Sequence, residues 1–222
     1  MTDVADRTAT EDRVRFYFSF RSPYSWLALH RVDAALAPLQ VGLEYVPVFP
    51  PPQFANDPLN FPDKVNYYAE DLLRISRAYG LTFRLPEPFD CNWLRPHAAF
   101  FAAHDAGRGV EYAKALFDAR FCSGKDLGQD SVMAACAAAA GLDPVRVLAA
   151  QDDLACQERL MRGMIEGATD HQLFGVPMFV YRGERFWGND RIDWLLRSIQ
   201  QQRGLPVPDL TVTPSAPVWT FA

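Results

Sequence analysis

The segment from Arg13 to Phe49 constrains the fold of this chain more than any other. Val14, Phe16, Phe18 and Phe20 alternate at period two, and with their aromatic bulk they predict a strand. The run breaks at Arg21-Ser22-Pro23-Tyr24-Ser25. From Pro23 the apolar positions Trp26, Leu27, Leu29, Val32, Ala35 and Leu36 recur at helical spacing until Pro38 interrupts them. Val41 to Phe49 reads as a second strand. Strand, helix and strand in this order close as a right-handed parallel crossover, because a right-twisted strand feeding a right-handed helix packs back onto its sheet only that way.

Pro50-Pro51-Pro52 ends that unit, and a polar loop through Asn56, Pro58, Asn60 and Pro62 follows. Helical patterns then run through Asp63–Tyr79, Arg95–Asp105, Val110–Phe121, Ser131–Ala140, Pro144–Ala149 and Asp153–Ala168. Strands return at Met178–Tyr181 and Arg185–Trp187, with Arg182-Gly183-Glu184 as the hairpin turn. Asp190 is expected to cap a last amphipathic helix that carries Ile192, Leu195, Leu196 and Ile199 on one face. Residues 13–62 and 169–203 are therefore expected to complete one mixed sheet in a two-segment α/β domain. Residues 63–168 form a helical insertion, 1–12 a disordered start and 204–222 an irregular tail.

With 222 residues and 49% hydrophobic content, the chain can build the core of one large domain. A net charge of -5 disfavours nucleic acid and anionic membranes as partners. No apolar run reaches membrane-spanning length, and the acidic start has none of the features of a signal or transit peptide, so a soluble cytoplasmic protein is expected. Cys91, Cys122, Cys136 and Cys156 lie far apart without a C-x-x-C, which predicts free thiols rather than a redox pair or zinc cluster. His30, His97, His104 and His171 have no metal-ligand spacing, and no metal is expected.

Three motifs narrow the reading: Ser22-Pro23-Tyr24-Ser25-Trp26-Leu27 after the aromatic strand, Gly175-Val176-Pro177 before a late strand, and Phe186-Trp187-Gly188-Asn189-Asp190-Arg191 before the last helix. In order, spacing and placement they resemble the family of 2-hydroxychromene-2-carboxylate isomerases and kappa-class glutathione transferases, from about Val14 to Ile199. The resemblance implies an α/β, thioredoxin-like fold of the DsbA/kappa type with a large all-α insertion. Related DsbA-type disulfide oxidoreductases open the first helix with C-P-x-C, whereas Ser22 and Ser25 stand at both sulfur positions here. Serine cannot cycle through a disulfide. The electropositive helix start is left for a thiolate carried by a ligand, which in this family is glutathione.

The same resemblance implies roles for individual residues. Ser22, otherwise an ordinary helix cap, becomes the catalytic hydroxyl that stabilises the glutathione thiolate. It has no partner pattern of a serine nucleophile. Val176-Pro177 becomes a cis-proline turn whose backbone pairs with the cysteinyl part. Trp187, Asn189 and Asp190 hold the γ-glutamyl end. Lys64, one of the chain's three lysines, faces the glycyl carboxylate or an anionic substrate, against the plain alternative of a solvated side chain. On the substrate side stand Tyr24, Asn56, Asn92, Trp93 and Arg95, with Arg95 pairing a carboxylate and Trp93 giving an aromatic wall.

The implied activity is a glutathione-dependent isomerase that interconverts 2-hydroxychromene-2-carboxylate and trans-o-hydroxybenzylidenepyruvate or a related aromatic-degradation intermediate. The implied partner is a small aromatic carboxylate, and the implied assembly a homodimer. A kappa-class-like transferase that conjugates glutathione to electrophiles is the alternative; the Trp187–Arg191 stretch leans towards the isomerase. A non-catalytic thioredoxin-like binding or chaperone module is the alternative of another class.

Overall fold

The structure, a computed structural model, describes residues 12–50 and 57–207. The expectations for residues 1–11, for Asn56 and for 208–222 lie outside the described residues. Strand β1 (Arg13–Phe18) pairs in parallel with β2 (Gly42–Pro47), Arg13 opposite Gly42 and Phe18 opposite Pro47. Between them runs α1 (Pro23–Leu36), started by a proline whose missing N–H costs nothing at that position. β3 (Met178–Tyr181) runs antiparallel to β1, and β4 (Glu184–Trp187) to β3, completing a mixed sheet in the order β2-β1-β3-β4. The β3–β4 hairpin turns on Arg182 and Gly183, both at positive φ (47° and 84°), the backbone that a two-residue primed turn needs.

Among the described residues six α-helices lie between β2 and β3: α2 (Pro62–Ala78), α3 (Leu94–Asp105), α4 (Gly109–Phe121), α5 (Asp130–Ala139), α6 (Pro144–Ala149) and α7 (Leu154–Thr169). α8 (Ile192–Gln202) closes the described chain. The alternation in β1 sends its side chains to two cores. Val14, Phe16 and Phe18 join Phe20, α1, α8 and the helical block in one cluster. Phe18 meets Phe100 at 5.4 Å, Phe20 meets Phe117 at 5.0 Å, and Trp26 meets Phe121 at 5.6 Å, so sheet and helical block share one aromatic core.

Tyr17 points the other way, to a second cluster with Val46, Val48, Met178 and Val180. α7 covers that face. A Cβ on Gly163 would come within 2.9 Å of Val46 Cγ1, so glycine is what lets the helix lie flat on the strand. α7 thus packs on β2 and also on α3, where Arg159 donates to Asp105 at 2.6 Å, and bridges the sheet and the helical block.

Asp190 is not the cap expected of it. Residues Asn189–Arg191 form a 3-10 turn, α8 starts at Ile192 with no side-chain cap, and the exposed Asp190 carboxylate accepts from Arg191 at 2.7 Å. Among the described residues no helix is long and apolar enough to cross a membrane.

Candidate active site

The site begins where β1 hands over to α1. Ser22 has the extended backbone of an N-cap, and its Oγ accepts from the Ser25 N–H at 3.2 Å. Its own proton points to the Val176 carbonyl at 3.5 Å, beyond the ordinary O–H···O range. The hydroxyl therefore keeps a proton to give. The first amides of a helix have no intrahelical acceptors and carry the positive end of its dipole, so an anion beside Ser22 would meet both donors.

Ser25, at the second sulfur position, is fully buried, and its Oγ accepts from the Ser19 N–H at 3.3 Å. The four cysteines are free. Burial pushes Cys91 up to about 12, Cys122 and Cys136 up to about 11, and Cys156 upward as well, so none of them offers a thiolate at neutral pH.

The Val176-Pro177 peptide is cis and leads into β3. The Gly188 N–H donates to the Pro177 carbonyl at 2.9 Å, which holds the Trp187–Asp190 loop beside this turn. Two glycines make the approach possible. A Cβ on Gly175 would lie 2.9 Å from Trp187 Nε1, and Gly188 sits at φ +116°, a backbone that side chains rarely adopt. The Trp187 ring is exposed and meets Phe174 edge-on at 5.0 Å. Asn189 is 4% exposed; its Nδ2 donates to Tyr79 Oη at 3.1 Å, while its Oδ1 has no donor. A buried acceptor without a donor costs about 1–3 kcal/mol, a cost this oxygen carries in the fold.

Lys64 stands in the first turn of α2. Its ammonium lies 5.8 Å from the Phe61 ring centre and 5.9 Å from that of Tyr68. Phe61, Pro62, Asp63 and Lys64 line an open cavity of about 390 Å³. Tyr68 packs edge-on against Tyr24 at 5.5 Å, and Tyr24 follows Ser22 by two residues, so two rings join the α1 start to Lys64. The Tyr24 hydroxyl donates to Asp71 at 2.9 Å. Tyr68 was not among the residues expected from the sequence, although its place four residues after Lys64 puts both on one helix face.

Behind Ser22 lies a charged support that the sequence did not reveal. Arg21, 9% exposed, donates to Asp90 at 2.7 Å and to Asp57 at 2.8 Å, anchoring the backbone just before the cap. Burial works against the Asp90 charge, but hydrogen bonds from Arg21 and Trp93 outweigh it and hold the carboxyl below its ordinary value. Trp93 is 8% exposed, with its indole N–H on Asp90 at 3.0 Å and its ring under the Arg120 guanidinium at 4.6 Å. It braces Arg21 through Asp90 and has no open face to serve as a wall.

Arg95 is committed to Asp130 at 2.9 Å, and exposed Asn92 accepts from the Leu94 N–H at 3.2 Å in a local turn. His97 is fully buried, donating from Nδ1 to the Trp93 carbonyl at 2.6 Å and accepting at Nε2 from the Phe20 N–H at 3.1 Å. Burial pushes it down to about 3, so it stays neutral. Among the described residues the hydrogen bonds of Ser22 go to backbone groups alone, with no imidazole or carboxylate placed to activate it as a nucleophile.

The profile of the DSBA-like thioredoxin domain matches residues 13–200. The chain belongs to this family. It is 27% identical over 193 residues to a 2-hydroxychromene-2-carboxylate isomerase of Sphingobium xenophagum, covering 82% of this chain and 95% of that protein. It is 24% identical over 185 residues to the protein of the same name from Pseudomonas putida, covering 81% and 90%. A solved structure of selenomethionine 2-hydroxychromene-2-carboxylate isomerase superposes with a TM-score of 0.74 at 24% identity, over 86% of this chain and 98% of that one. That likeness establishes a common fold, the mixed sheet with its helical block.

Proposed function

We propose that this protein is a glutathione-dependent isomerase that interconverts 2-hydroxychromene-2-carboxylate and trans-o-hydroxybenzylidenepyruvate, or a closely related pair of aromatic carboxylates. One observation carries the reading: Ser22 holds a hydroxyl proton engaged only by the long 3.5 Å contact to the Val176 carbonyl, at a helix start beside the residue preceding a cis proline, where serine replaces both sulfurs of a redox motif. A ligand thiolate fits that place. The names of the relatives, at low identity, support the choice of reaction.

The surrounding groups suit the tripeptide. The orphaned Asn189 Oδ1 and the exposed Asp190 carboxylate would take the γ-glutamyl ammonium. The Val176 backbone would pair with the cysteinyl unit, and Trp187 would cover it. Lys64, which has no carboxylate within ion-pair distance among the described residues, would take the glycyl carboxylate or the substrate's.

When bound, glutathione supplies a thiolate that adds reversibly to a conjugated double bond, makes it a rotatable single bond and leaves again unconsumed. Ser22 would donate a hydrogen bond to that anion while keeping its proton, and the α1 start adds its field, so both favour the charged form and lower the thiol's pKa. The Tyr24 and Tyr68 rings provide the apolar wall for an aromatic substrate. Arg95 can reach a carboxylate only by leaving Asp130. A cytoplasmic setting goes with this reading, since glutathione there also keeps the four thiols reduced.

The test follows interconversion of the two isomers by absorbance, with and without glutathione, alongside a thiol titration. Turnover that requires glutathione and leaves its amount unchanged is expected. Loss of one glutathione per turnover would make the protein a transferase and sink the isomerase reading. No binding of millimolar glutathione by calorimetry would remove both.

A further inference from the structure

α2 is held to the rest of the molecule by its later turns. Of its residues only Leu72 and Ser76 are buried, both in its second half, and Phe61 to Lys64 at its start are all exposed. Tyr24 meets it at Tyr68 and Asp71, and Asn189 at Tyr79 just past its end, so each of these contacts falls after the first turn. Packing alone leaves the place of that turn loose. Yet this is the turn that carries Lys64.

A tie made just ahead of the helix fixes it. Asp57 leads into the 3-10 turn Pro58–Asn60, its Oδ1 accepting from the Leu59 N–H and its carbonyl from the Asn60 N–H, both at 3.0 Å. Its Oδ2 accepts from Arg21 Nη2 at 2.8 Å. The same guanidinium holds Asp90 with two bonds, Nε to Oδ1 at 2.7 Å and Nη2 to Oδ2 at 3.3 Å. A planar fork donates in fixed directions, so a guanidinium seated on Asp90 dictates where Asp57 can lie. The Arg21 and Asp57 side chains are largely buried, and water screens this pair less than an ion pair at the surface. Arg21 also directly precedes Ser22. A short path of stiff links therefore runs from Ser22 through Arg21 and Asp57 to the hydrogen-bonded turn and on to Lys64.

We propose that Arg21 and Asp57 are positioning residues whose ion pair sets the spacing between Ser22 and Lys64, matching it to the thiol and the glycyl carboxylate of one glutathione molecule. The choice of ligand rests on the glutathione reading above, whereas the tie is a property of the free protein. Neither residue touches the reacting atoms. Their effect on binding passes through Lys64.

Hydrogen exchange and calorimetry test it together. Without ligand, Asp57→Ala should speed exchange of the Lys64 and Val65 amides, which donate to the Phe61 carbonyl, by about tenfold and leave the α8 amides unchanged. With glutathione, Lys64→Met should weaken binding about threefold to fivefold and Asp57→Ala nearly as much, while Asp57→Ala in the Lys64→Met background should cost nothing more. Arg21 keeps Asp90 as a partner in these variants. Asp57→Asn, which retains an acceptor for the Leu59 N–H, is the second variant should alanine unsettle the turn, and it should show the same pattern at reduced size. Unchanged exchange, a Lys64→Met variant that binds glutathione like the parent, or affinity losses that add in the double variant would each overturn the proposal and leave the glutathione reading standing. A parent that binds no millimolar glutathione would instead overturn that reading, and the ligand assigned here with it.

Discussion

The Ser22 oxygen does two things that substitution can separate. As a cap it accepts from the Ser25 N–H, a contribution of about 1 kcal/mol when serine becomes alanine but only about a few tenths when it becomes glycine. As a donor it has only the distant Val176 carbonyl, so a thiolate would take its proton in a charge-assisted bond of about 1.5–3 kcal/mol. Ser22→Ala and Ser22→Gly remove that bond equally. Both should raise the bound thiol's pKa by about one to two units and slow turnover by about 10- to 150-fold at neutral pH. Only Ser22→Ala should also lower stability by about 1 kcal/mol. Urea unfolding, initial rates and the pH dependence of thiolate absorbance in the glutathione complex give the three readouts. A glycine variant that turns over like the parent, or rate losses that track stability losses, would refute the donor role.

His97 sets an acid limit on the fold. Its folded pKa is near 3 against 6.5 for the unfolded chain, so below pH 6.5 the unfolded state takes up a proton that the folded state refuses. Stability should therefore fall as pH drops from 6.5 towards 3, by about 1.4 kcal/mol between pH 7.5 and 5.5 from this residue alone. In urea unfolding at those two pH values, His97→Gln should show a pH dependence smaller by that amount; an equal dependence would mean that His97 titrates in the fold. Replacing Cys91, Cys122, Cys136 and Cys156 by alanine should leave glutathione-dependent turnover within about twofold of the parent, because burial keeps these thiols protonated. Loss of activity with the fold intact would place the chemistry on the chain's own sulfur. Gly175→Ala should cost less than about 1 kcal/mol, since the exposed Trp187 ring can swing away, but should change tryptophan fluorescence and weaken glutathione binding several-fold. Unchanged binding would free Trp187 of a ligand role.

The sequence by itself determined the local elements and the most local part of the site. Period-two aromatics placed β1, Pro23 marked a helix start, and Ser22 announced a cap, because each of these signals acts over a few residues. The resemblance of short motifs carried the fold. The Asp190 cap failed because a distant bond overrides the local preference: the Gly188 N–H is taken by Pro177, and the chain leaves Gly188 at a positive φ into a 3-10 turn.

Trp93 looked like a pocket wall because indole serves equally as wall or core. Only the arrival of Arg120 and Asp90 from elsewhere in the chain decides which. Arg21 with Asp57 and Asp90, and the Tyr24–Tyr68–Lys64 line, likewise join residues dozens of positions apart, and no pattern within a window of sequence encodes such meetings. α7 shows the same limit at the scale of a whole helix. Its amphipathic pattern says that one face is buried, but Gly163 against Val46 and Arg159 on Asp105 decide that it is buried between β2 and α3, and leave the aliphatic stripe of Leu154, Met161 and Ile165 facing out. Periodicity records that a face must be covered; the choice of what covers it is made by packing between segments that the linear order keeps apart.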